Sequence, residues 1–289
     1  MNPRGRALVL GLPYAWLVLF FLVPFLIVLG ISLAEQKIGI PPYTPLVAHG
    51  AFRGSLDNYA LLAGDPLYFR AFVNSVLYAA GATLVALAIG YPMAYAIVRA
   101  PRAWRARLLL LVILPFWTSF LIRVYAWIGL LDSNGLVNKA LLALGVVHAP
   151  LLLLNNLFSV ELGLVYSYLP FMVLPLYAAL EKLDPTLLEA ASDLGCPPIT
   201  AFWRVTWPLS LPGVVAGALL VFIPMCGEFV IPDLLGGPST LMIGKVLWDE
   251  FFTNRDWPVA SAVTVAMLAL LVVPMGLMRR LLAGKAGAG

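Results

Sequence analysis

Acidic residues placed among aromatic residues in the last quarter of the chain are the groups best suited to hold a ligand. Carboxylates pair with ammonium groups, while aromatic faces attract cations and cover methylene chains. This combination occurs in the stretches 226–237 and 248–258, and it predicts contact with an alkyl diammonium or another organic cation. For Phe252 and Trp257 the alternative is a solvated loop with an aromatic belt at a membrane surface. The candidate residues are Glu228, Asp233, Trp248, Glu250, Asp256 and Trp257.

The sequence contains no evident catalytic or metal-binding set. His49 and His148 are isolated, and Cys196 and Cys226 show neither CxxC spacing nor a disulfide framework. A phosphate-binding loop of the form G-x-x-x-x-G-K-[ST] is also absent, because neither Gly-Lys pair has the leading glycine or the following Ser/Thr. We therefore expect no catalytic residue, no metal and no cofactor bound by this chain.

The composition predicts a membrane protein. Apolar residues make up 62% of the chain and charged residues 11%, whereas a soluble domain carries roughly a quarter charged residues. The net charge of +4 comes from Lys and Arg clustered between apolar runs, a pattern typical of membrane proteins and not of nucleic-acid binding.

Six apolar runs are long enough to cross a bilayer, which needs about 20 residues per helix. They predict an all-α, polytopic fold with a single transmembrane domain over 1–289. The predicted spans are 8–33, 72–98, 108–131, 162–180, 212–231 and 259–277.

Two stretches admit another interpretation. Arg4 and Arg6 before the first run resemble a signal peptide, but the run is about twice the length of a signal-peptide core, which favours a retained anchor. The stretch 136–154 is apolar enough for a seventh span, although it contains Asn138 and Lys139. An additional crossing would reverse every later loop, so we predict an interfacial helix near Leu136–Gly145.

The charge distribution predicts the orientation. The loops on the side of both termini carry eleven Lys and Arg residues against four acids, and the opposite loops carry six against eight. The segment Arg99–Arg107 alone has four arginines and no acid. Both termini are therefore expected in the cytoplasm of a bacterial cell, with the chain in the inner membrane.

Ionisable residues inside predicted spans indicate a polar path or internal pairing. Arg123 lies in the third span and Glu228 in the fifth, where a charge costs about 2.5–3.5 kcal/mol on insertion scales. Each therefore faces a cavity or a partner, and the alternative to a substrate path is that they pair with each other. Glu161, at the edge of the fourth span, is interpreted as solvated.

The loop after the fourth span predicts two helices outside the bilayer. Asp184 can cap a helix whose first residue is Pro185, and Gly195 suits the left-handed position that ends it. A second short helix is expected from Ile199 to Trp207-Pro208. Four apolar residues of the first helix share one side, which fits a partner protein or, alternatively, lipid headgroups. These residues are Leu187, Leu188, Ala191 and Leu194.

The same loop resembles the signature of bacterial ATP-binding-cassette importer permeases. That signature is Glu-Ala-Ala, three residues, Gly, nine residues, then Ile-x-Leu-Pro. Here Glu189, Ala190 and Ala191 precede Gly195 at this spacing, and Val205-Thr206-Trp207-Pro208 follows nine residues later. Valine and tryptophan replace isoleucine and leucine, so the spacing matches while the docking surface differs in detail.

The resemblance implies a MetI-like helical fold and a set of partners. In that family this loop is the coupling helix on the ATPase, which implies an ATPase-coupling role for Glu189, Ala190, Ala191, Gly195 and Pro208. The second half of the chain also looks like polyamine importer permeases, closest to the putrescine branch. This implies a second permease subunit, an ATPase dimer that binds ATP and Mg²⁺, and a periplasmic polyamine-binding protein.

Other functions remain open at this stage. Another importer substrate, such as sulfate or an opine, would keep the coupling loop, although the acids disfavour a lone anion. An ATP-independent transporter or channel would leave the spaced loop motif unexplained. A membrane scaffold without transport would leave the cost of an intramembrane Glu228 unexplained.

Overall fold

The computed structural model describes the backbone of residues 3–48 and 51–286, and the side chains of 9–47 and 52–272. Several residues used for the orientation, namely Arg4, Arg6, Arg279, Arg280 and Lys285, lie outside the described side chains, as does His49. The α-helices are α1 (Pro3–Leu17), α2 (Val23–Ser32), α3 (Asp57–Gly64), α4 (Pro66–Arg99), α5 (Arg102–Ile113), α6 (Phe120–Leu131), α7 (Leu136–Ala143), α8 (Leu157–Glu181), α9 (Pro185–Asp193), α10 (Pro198–Ala201), α11 (Trp207–Cys226), α12 (Val230–Leu234), α13 (Ile243–Trp248) and α14 (Trp257–Ala286). Two strands of two residues each, β1 (Val47–Ala48) and β2 (Ala51–Phe52), pair antiparallel in a short hairpin.

Within the described residues, five stretches are long and apolar enough to cross a membrane, and a sixth, Trp257–Val272, is shorter. The five are Val9–Ser32, Pro66–Arg99, Phe120–Ala143, Leu157–Glu181 and Pro198–Cys226. Five of these six stretches overlap most of a predicted span, whereas Phe120–Ala143 overlaps only the second half of the third, 108–131. The prediction of an all-α polytopic architecture is confirmed apart from the short hairpin.

The third predicted span, 108–131, is not one helix. The chain passes from α5 through a 3₁₀ turn at Leu114–Trp117 to α6, with Thr118 and Ser119 in extended conformations. Pro115 lacks a backbone N–H and cannot continue the hydrogen bonds of α5, which gives way to the 3₁₀ turn although Leu114 keeps a helical conformation. The long apolar stretch in this region is Phe120–Ala143, and the turn at 132–135 divides it into α6 and α7.

Helix α7 is the short helix expected near Leu136–Gly145. It ends at Ala143, and Gly145 adopts φ +66°. The buried Asn138 amide donates to the carbonyls of Asp132 and Leu151 and accepts from the Leu151 N–H at 2.8 Å. One side chain therefore holds both ends of the loop, which explains a polar residue in an apolar stretch.

The described residues divide into two compact units. One is drawn from Met1–Phe72 and Val246–Gly289, the other is Val73–Lys245. The single permease domain predicted over 1–289 remains a prediction.

Small residues allow the two main helices of the second unit, α8 and α11, to pack closely. A Cβ on Gly213 would lie 2.4 Å from the Ala179 Cβ, and one on Gly217 would lie 2.9 Å from the Met172 Sδ. Close approach of backbones over small residues is how membrane helices gain packing energy without a hydrophobic driving force between them. Met172 is fully buried at this contact.

Candidate functional site

The loop after α8 forms the first predicted helix, α9, with the expected cap. An Asp184 Oδ1 atom accepts a hydrogen bond from the Thr186 N–H at 3.0 Å, and Pro185 occupies the first turn. This bond holds the pKa of Asp184 below its ordinary value. The carboxylate thus stays charged at the positive end of the α9 dipole, where it stabilises the helix.

Gly195 ends α9 as the sequence predicts. Its φ is +76°, and its N–H donates to the Ser192 carbonyl at 2.8 Å. The Cys196 N–H then donates to the Ala191 carbonyl at 3.0 Å. A Cβ on Gly195 would meet nothing within 4 Å, so the glycine is required by backbone conformation and not by space.

The signature residues lie on an accessible surface. Glu189, Ala190, Gly195 and Pro208 are exposed, and Ala191 is half-buried. Large apolar side chains accompany them: Leu194 is 88% exposed, Ile199 75% and Trp203 59%. The residues predicted to share one apolar side of α9 therefore differ in exposure. Leu188 is half-buried, while Leu187 and Leu194 are exposed.

The second predicted helix does not end at Trp207-Pro208. Helix α10 continues through a π-helical turn at Phe202–Thr206 directly into α11. Pro208 stands at the second position of α11, and the wider π turn before it accommodates a proline without stopping the chain. The segment Pro185–Pro208 is thus one short helix, α9, joined by Gly195–Pro197 to the start of a long helix. We call this segment the elbow.

Glu228 lies in a break between helices and not within the fifth span. Helix α11 ends at Cys226, and α12 begins at Val230. The Glu228 side chain, which is 8% exposed, accepts from the Tyr168 hydroxyl at 2.5 Å and from the Val230 N–H at 3.0 Å. Both carboxylate oxygens therefore have donors from within the same unit.

Arg123 does not pair with Glu228. Its Nη1 donates to the Pro115 carbonyl at 3.0 Å, and its guanidinium lies over the Phe116 ring at 5.6 Å. Its buried Nε has no hydrogen-bond partner among the described residues. The alternative that Arg123 and Glu228 pair with each other is wrong, because the two side chains contact different groups.

Asp233 forms an ion pair. Its Oδ1 lies 2.9 Å from the Lys245 Nζ, and the pair lines a cavity of about 250 Å³ with Gly236 and Gly237. A cation at Asp233 would have to compete with this lysine. Of the two acids predicted in stretch 226–237, Glu228 is buried and hydrogen-bonded, and Asp233 is exposed and already paired.

The remaining four candidates belong to the other unit, where the structure brings them together in the segment 248–257. Trp257 stacks on Phe251 with ring centroids 5.0 Å apart, and Trp248 packs on Phe252 at 4.1 Å. Tyr43 approaches Trp257 at 6.2 Å.

Two acids accompany these rings. Glu250 accepts from the Tyr68 hydroxyl at 2.8 Å and from the Asn254 amide at 2.9 Å. Asp256 caps α14 by accepting from the Val259 N–H at 3.0 Å. Burial raises the pKa of Asp256, the Val259 hydrogen bond opposes this, and the nearby Glu250 charge adds to it.

Sequence reasoning missed the partners of these acids. Tyr168 lies 60 residues from Glu228, and Tyr68 lies 182 residues from Glu250. No local pattern joins such residues, because the contacts form only in the folded unit. Glu161 was interpreted as solvated, yet its Oε2 is buried without a partner among the described residues, and its Oε1 would lie 3.1 Å from a Cβ on Gly81.

The chain matches, over residues 86–286, the family described as "Binding-protein-dependent transport system inner membrane component". This match spans more than half of the chain and includes the elbow. The chain belongs to this family. The prediction of an inner-membrane permease subunit, and not an enzyme, is thereby confirmed.

Two relatives cover more than nine-tenths of the permease, and a third covers three-quarters of it. It is 41% identical over 273 residues to the spermidine/putrescine transport system permease protein PotB of Haemophilus influenzae, covering 94% of this chain and 92% of that protein. It is 42% identical over 263 residues to the Escherichia coli protein of the same name, covering 91% of each. The inner membrane ABC transporter permease protein YdcU of E. coli is 32% identical over 229 residues, covering 75% and 73%.

A solved structure shares the fold of the permease. A bacterial ABC transporter involved in the import of the acidic polysaccharide alginate aligns with a TM-score of 0.67 at 17% identity, covering 96% of each chain. At this identity the likeness concerns the fold alone. It confirms the MetI-like helical arrangement.

Proposed function

We propose that this permease forms half of the translocation pore of an ATP-binding-cassette importer for linear polyamines. A second permease subunit forms the other half. A separate ATPase dimer binds ATP and Mg²⁺ at the cytoplasmic side, and a periplasmic polyamine-binding protein delivers the substrate. The observation that carries the proposal is the exposed elbow formed by α9 and the turn at Gly195.

The elbow has the properties of a surface that a partner protein covers. Leu194, Ile199 and Trp203 are large apolar side chains that remain exposed around the turn. Exposed apolar groups of this size, next to the low profile of Ala190 and the acid Glu189, favour docking into a groove. We infer that the ATPase covers them and moves α9 when it binds ATP.

The acids and rings of segment 248–257 support an organic cation as the substrate. Glu250 and Asp256 supply negative charge beside the stacked Phe251 and Trp257 rings. Ammonium ends are stabilised by the carboxylates, and the methylene chain is stabilised by the rings. We infer that the binding protein releases its substrate towards the 236–258 segment.

We infer that Glu228 is a further acid on the path. In this conformation Tyr168 and the Val230 N–H occupy its carboxylate. A substrate ammonium can replace the Tyr168 hydroxyl only if the tyrosine withdraws. We propose that this exchange accompanies the change of access from one side of the membrane to the other.

The names of the relatives bear on which polyamine the permease prefers. The relatives at 41% and 42% identity are named for spermidine and putrescine together. We therefore propose a linear polyamine and keep the preference for putrescine as a prediction to be tested against spermidine.

Reconstitution tests the proposal. The permease is co-purified with the products of neighbouring genes, placed in proteoliposomes with ATP inside, and supplied with labelled spermidine or putrescine. Uptake that requires ATP and the binding protein is the expected result. Uptake without ATP would indicate a secondary transporter, and ATP-driven uptake of sulfate or an opine without polyamine uptake would overturn the substrate class.

A further inference from the structure

A cavity of about 410 Å³ lies between the helix ends of the second unit, next to the elbow. Its volume is within the range of about 300–1,000 Å³ typical of small-molecule sites. It is framed by the end of α4, the start of α5, the end of α8, the start of α9 and Thr206. The residues that matter for its chemistry are Arg99, Arg102, Arg105, Glu181, Asp184 and Thr206.

The cavity has an excess of positive charge that the chain does not neutralise. Arg105 lies 3.7 Å from Glu181, which also accepts from the Tyr177 hydroxyl. Among the described side chains, Arg99 and Arg102 have no carboxylate at ion-pair distance. Arg99 instead makes a cation–π contact with the Tyr95 ring at 4.3 Å, which fixes its position and leaves it without an anionic partner. Three arginines and two acids, Glu181 and Asp184, line the cavity, so its lining has a net charge of +1, and two guanidinium groups without a carboxylate partner are available to bind an anion.

A buried hydroxyl points independently to a ligand. Thr206 is 2% exposed, lines the cavity, and has an Oγ1 atom without a hydrogen-bond partner among the described residues. A buried polar group left unpaired costs about 1–3 kcal/mol. A bound acceptor such as a phosphate oxygen would remove this cost.

The position of the cavity favours a lipid over a free anion. Arg99 is the last residue of α4, and Glu181 is the last of α8, so the cavity lies where two spanning helices reach the headgroup region. Basic pockets at this depth bind anionic headgroups. Helices α4 and α5 also frame an apolar groove of about 340 Å³, lined by Ile97, Leu108 and Leu111 among others, which can accept an acyl chain.

We propose that this cavity binds the phosphate headgroup of one anionic phospholipid. Arg99 and Arg102 contact the phosphate, Thr206 donates its hydroxyl, and an acyl chain lies along α4 and α5. Because Asp184, Pro185 and Leu188 line the same cavity, the lipid would also brace the start of α9. The proposal does not depend on which substrate is transported.

Lipid retention tests this site. The full-length permease is placed in nanodiscs of phosphatidylglycerol and phosphatidylcholine, and bound lipid is measured by native mass spectrometry. Retention selective for phosphatidylglycerol is expected, with a roughly tenfold loss in Arg99→Gln/Arg102→Gln and a smaller loss in Thr206→Val, since charge-assisted bonds are stronger than neutral ones. Arg107→Gln is the matched control, because Arg107 stacks on Trp104 and does not line the cavity.

Two results would overturn the proposal. Equal retention of phosphatidylglycerol by the wild type and the double variant would remove the arginines from lipid binding. Displacement of the lipid by millimolar inorganic phosphate, with no preference between the two lipids, would make the cavity a soluble-anion site. If the double variant does not insert, the exposed Arg102 is changed alone to Gln and read in the same way.

Discussion

At the scale of single residues, the candidate acids differ in how the chain already uses them. Glu228 is buried and receives two hydrogen bonds, Asp233 is paired with Lys245, and Asp256 caps a helix. A cation therefore reaches Asp233 only by competing with a lysine, whereas Glu228 loses only a neutral tyrosine. This ranking gives Glu228 and Asp256 the larger expected effects on transport.

Glu228→Gln is expected to lower polyamine uptake by tenfold or more on the scale of one charge-assisted hydrogen bond. The glutamine oxygen can accept from the Val230 N–H and its amide NH2 can donate to the Tyr168 hydroxyl oxygen, so the fold is retained while the negative charge is lost. Initial rates of labelled spermidine uptake measure the effect. Tyr168→Phe serves as the comparison, because it removes only the hydroxyl and keeps the acid, so it should retain more uptake than Glu228→Gln. Unchanged kinetics in Glu228→Gln would assign the residue to packing.

Asp256→Asn is expected to reduce uptake while preserving or raising thermal stability at neutral pH. Burial raises the pKa of Asp256, so its ionised form costs folding free energy above that raised pKa. This cost is absent below the ordinary pKa of aspartate, which is about 3.9. Asparagine can still cap α14 without the charge. The difference in Tm between variant and wild type should therefore shrink as the pH falls towards about 4.

Asp132→Asn is the matched control for that variant. Asp132 accepts from the Asn134 N–H in a turn at the end of α6, outside the segment 248–257. It should leave uptake unchanged. A fall in Tm for Asp256→Asn at pH 7 would show that its carboxylate stabilises the fold through a partner other than the Val259 N–H.

At the scale of elements, the elbow depends on one backbone conformation. Helix α9 is nine residues long, too short to be stable alone in water, where helices need about 12–15 residues. Its caps at Asp184 and Gly195 and its half-buried Leu188 hold it in place. A helix held by its ends can move as a rigid piece when a partner pushes it.

Gly195→Ala is expected to abolish ATP-driven uptake with normal insertion, because a side chain at φ +76° costs about 1 kcal/mol or more and shifts the end of α9. Gly145→Ala is a matched control. Gly145 has φ +66° and, like Gly195, open space around its Cβ position, but it follows α7. Both variants carry similar backbone strain. If both lose uptake to the same extent, the loss in Gly195→Ala is due to instability and not to impaired coupling.

At the scale of the whole molecule, the orientation is the property on which the proposed mechanism depends. The excess of Lys and Arg in the loops of one side predicts that the elbow lies in the cytoplasm. The chain contains a natural reporter, because Cys196 lies in the elbow and is partly exposed, while Cys226 is 1% exposed.

Native Cys196 is expected to react with a membrane-impermeant maleimide in inside-out vesicles and not in right-side-out vesicles. The physical reason is that the reagent reaches only the side on which the elbow lies. Mass spectrometry of the labelled peptide measures the reaction, and Cys196→Ser should remove it. Labelling in right-side-out vesicles would place the elbow in the periplasm, away from any ATPase.

Much of this architecture is encoded locally. Long apolar runs predict spanning helices, since lipid cannot satisfy free backbone groups. Asp184, Pro185 and Gly195 define α9 through the conformations that each residue favours at a helix end, so its bounds could be predicted to within a residue. The elbow was therefore accessible from the sequence, including the spacing between Glu189 and Pro208.

Tertiary structure alone decided the rest. The break at Gly227–Phe229, the Tyr168 hydrogen bond to Glu228 and the partners of Arg123 depend on groups brought together from distant helices. Likewise, Pro115 and Pro208 could each have ended a helix or been accommodated in one. Helix α5 ends before Pro115, whereas Pro208 is accommodated at the second position of α11. Local conformational preference defines the ends of a capped helix such as α9, but the pairing of buried charges is set by whichever side chains the packed helices place beside them.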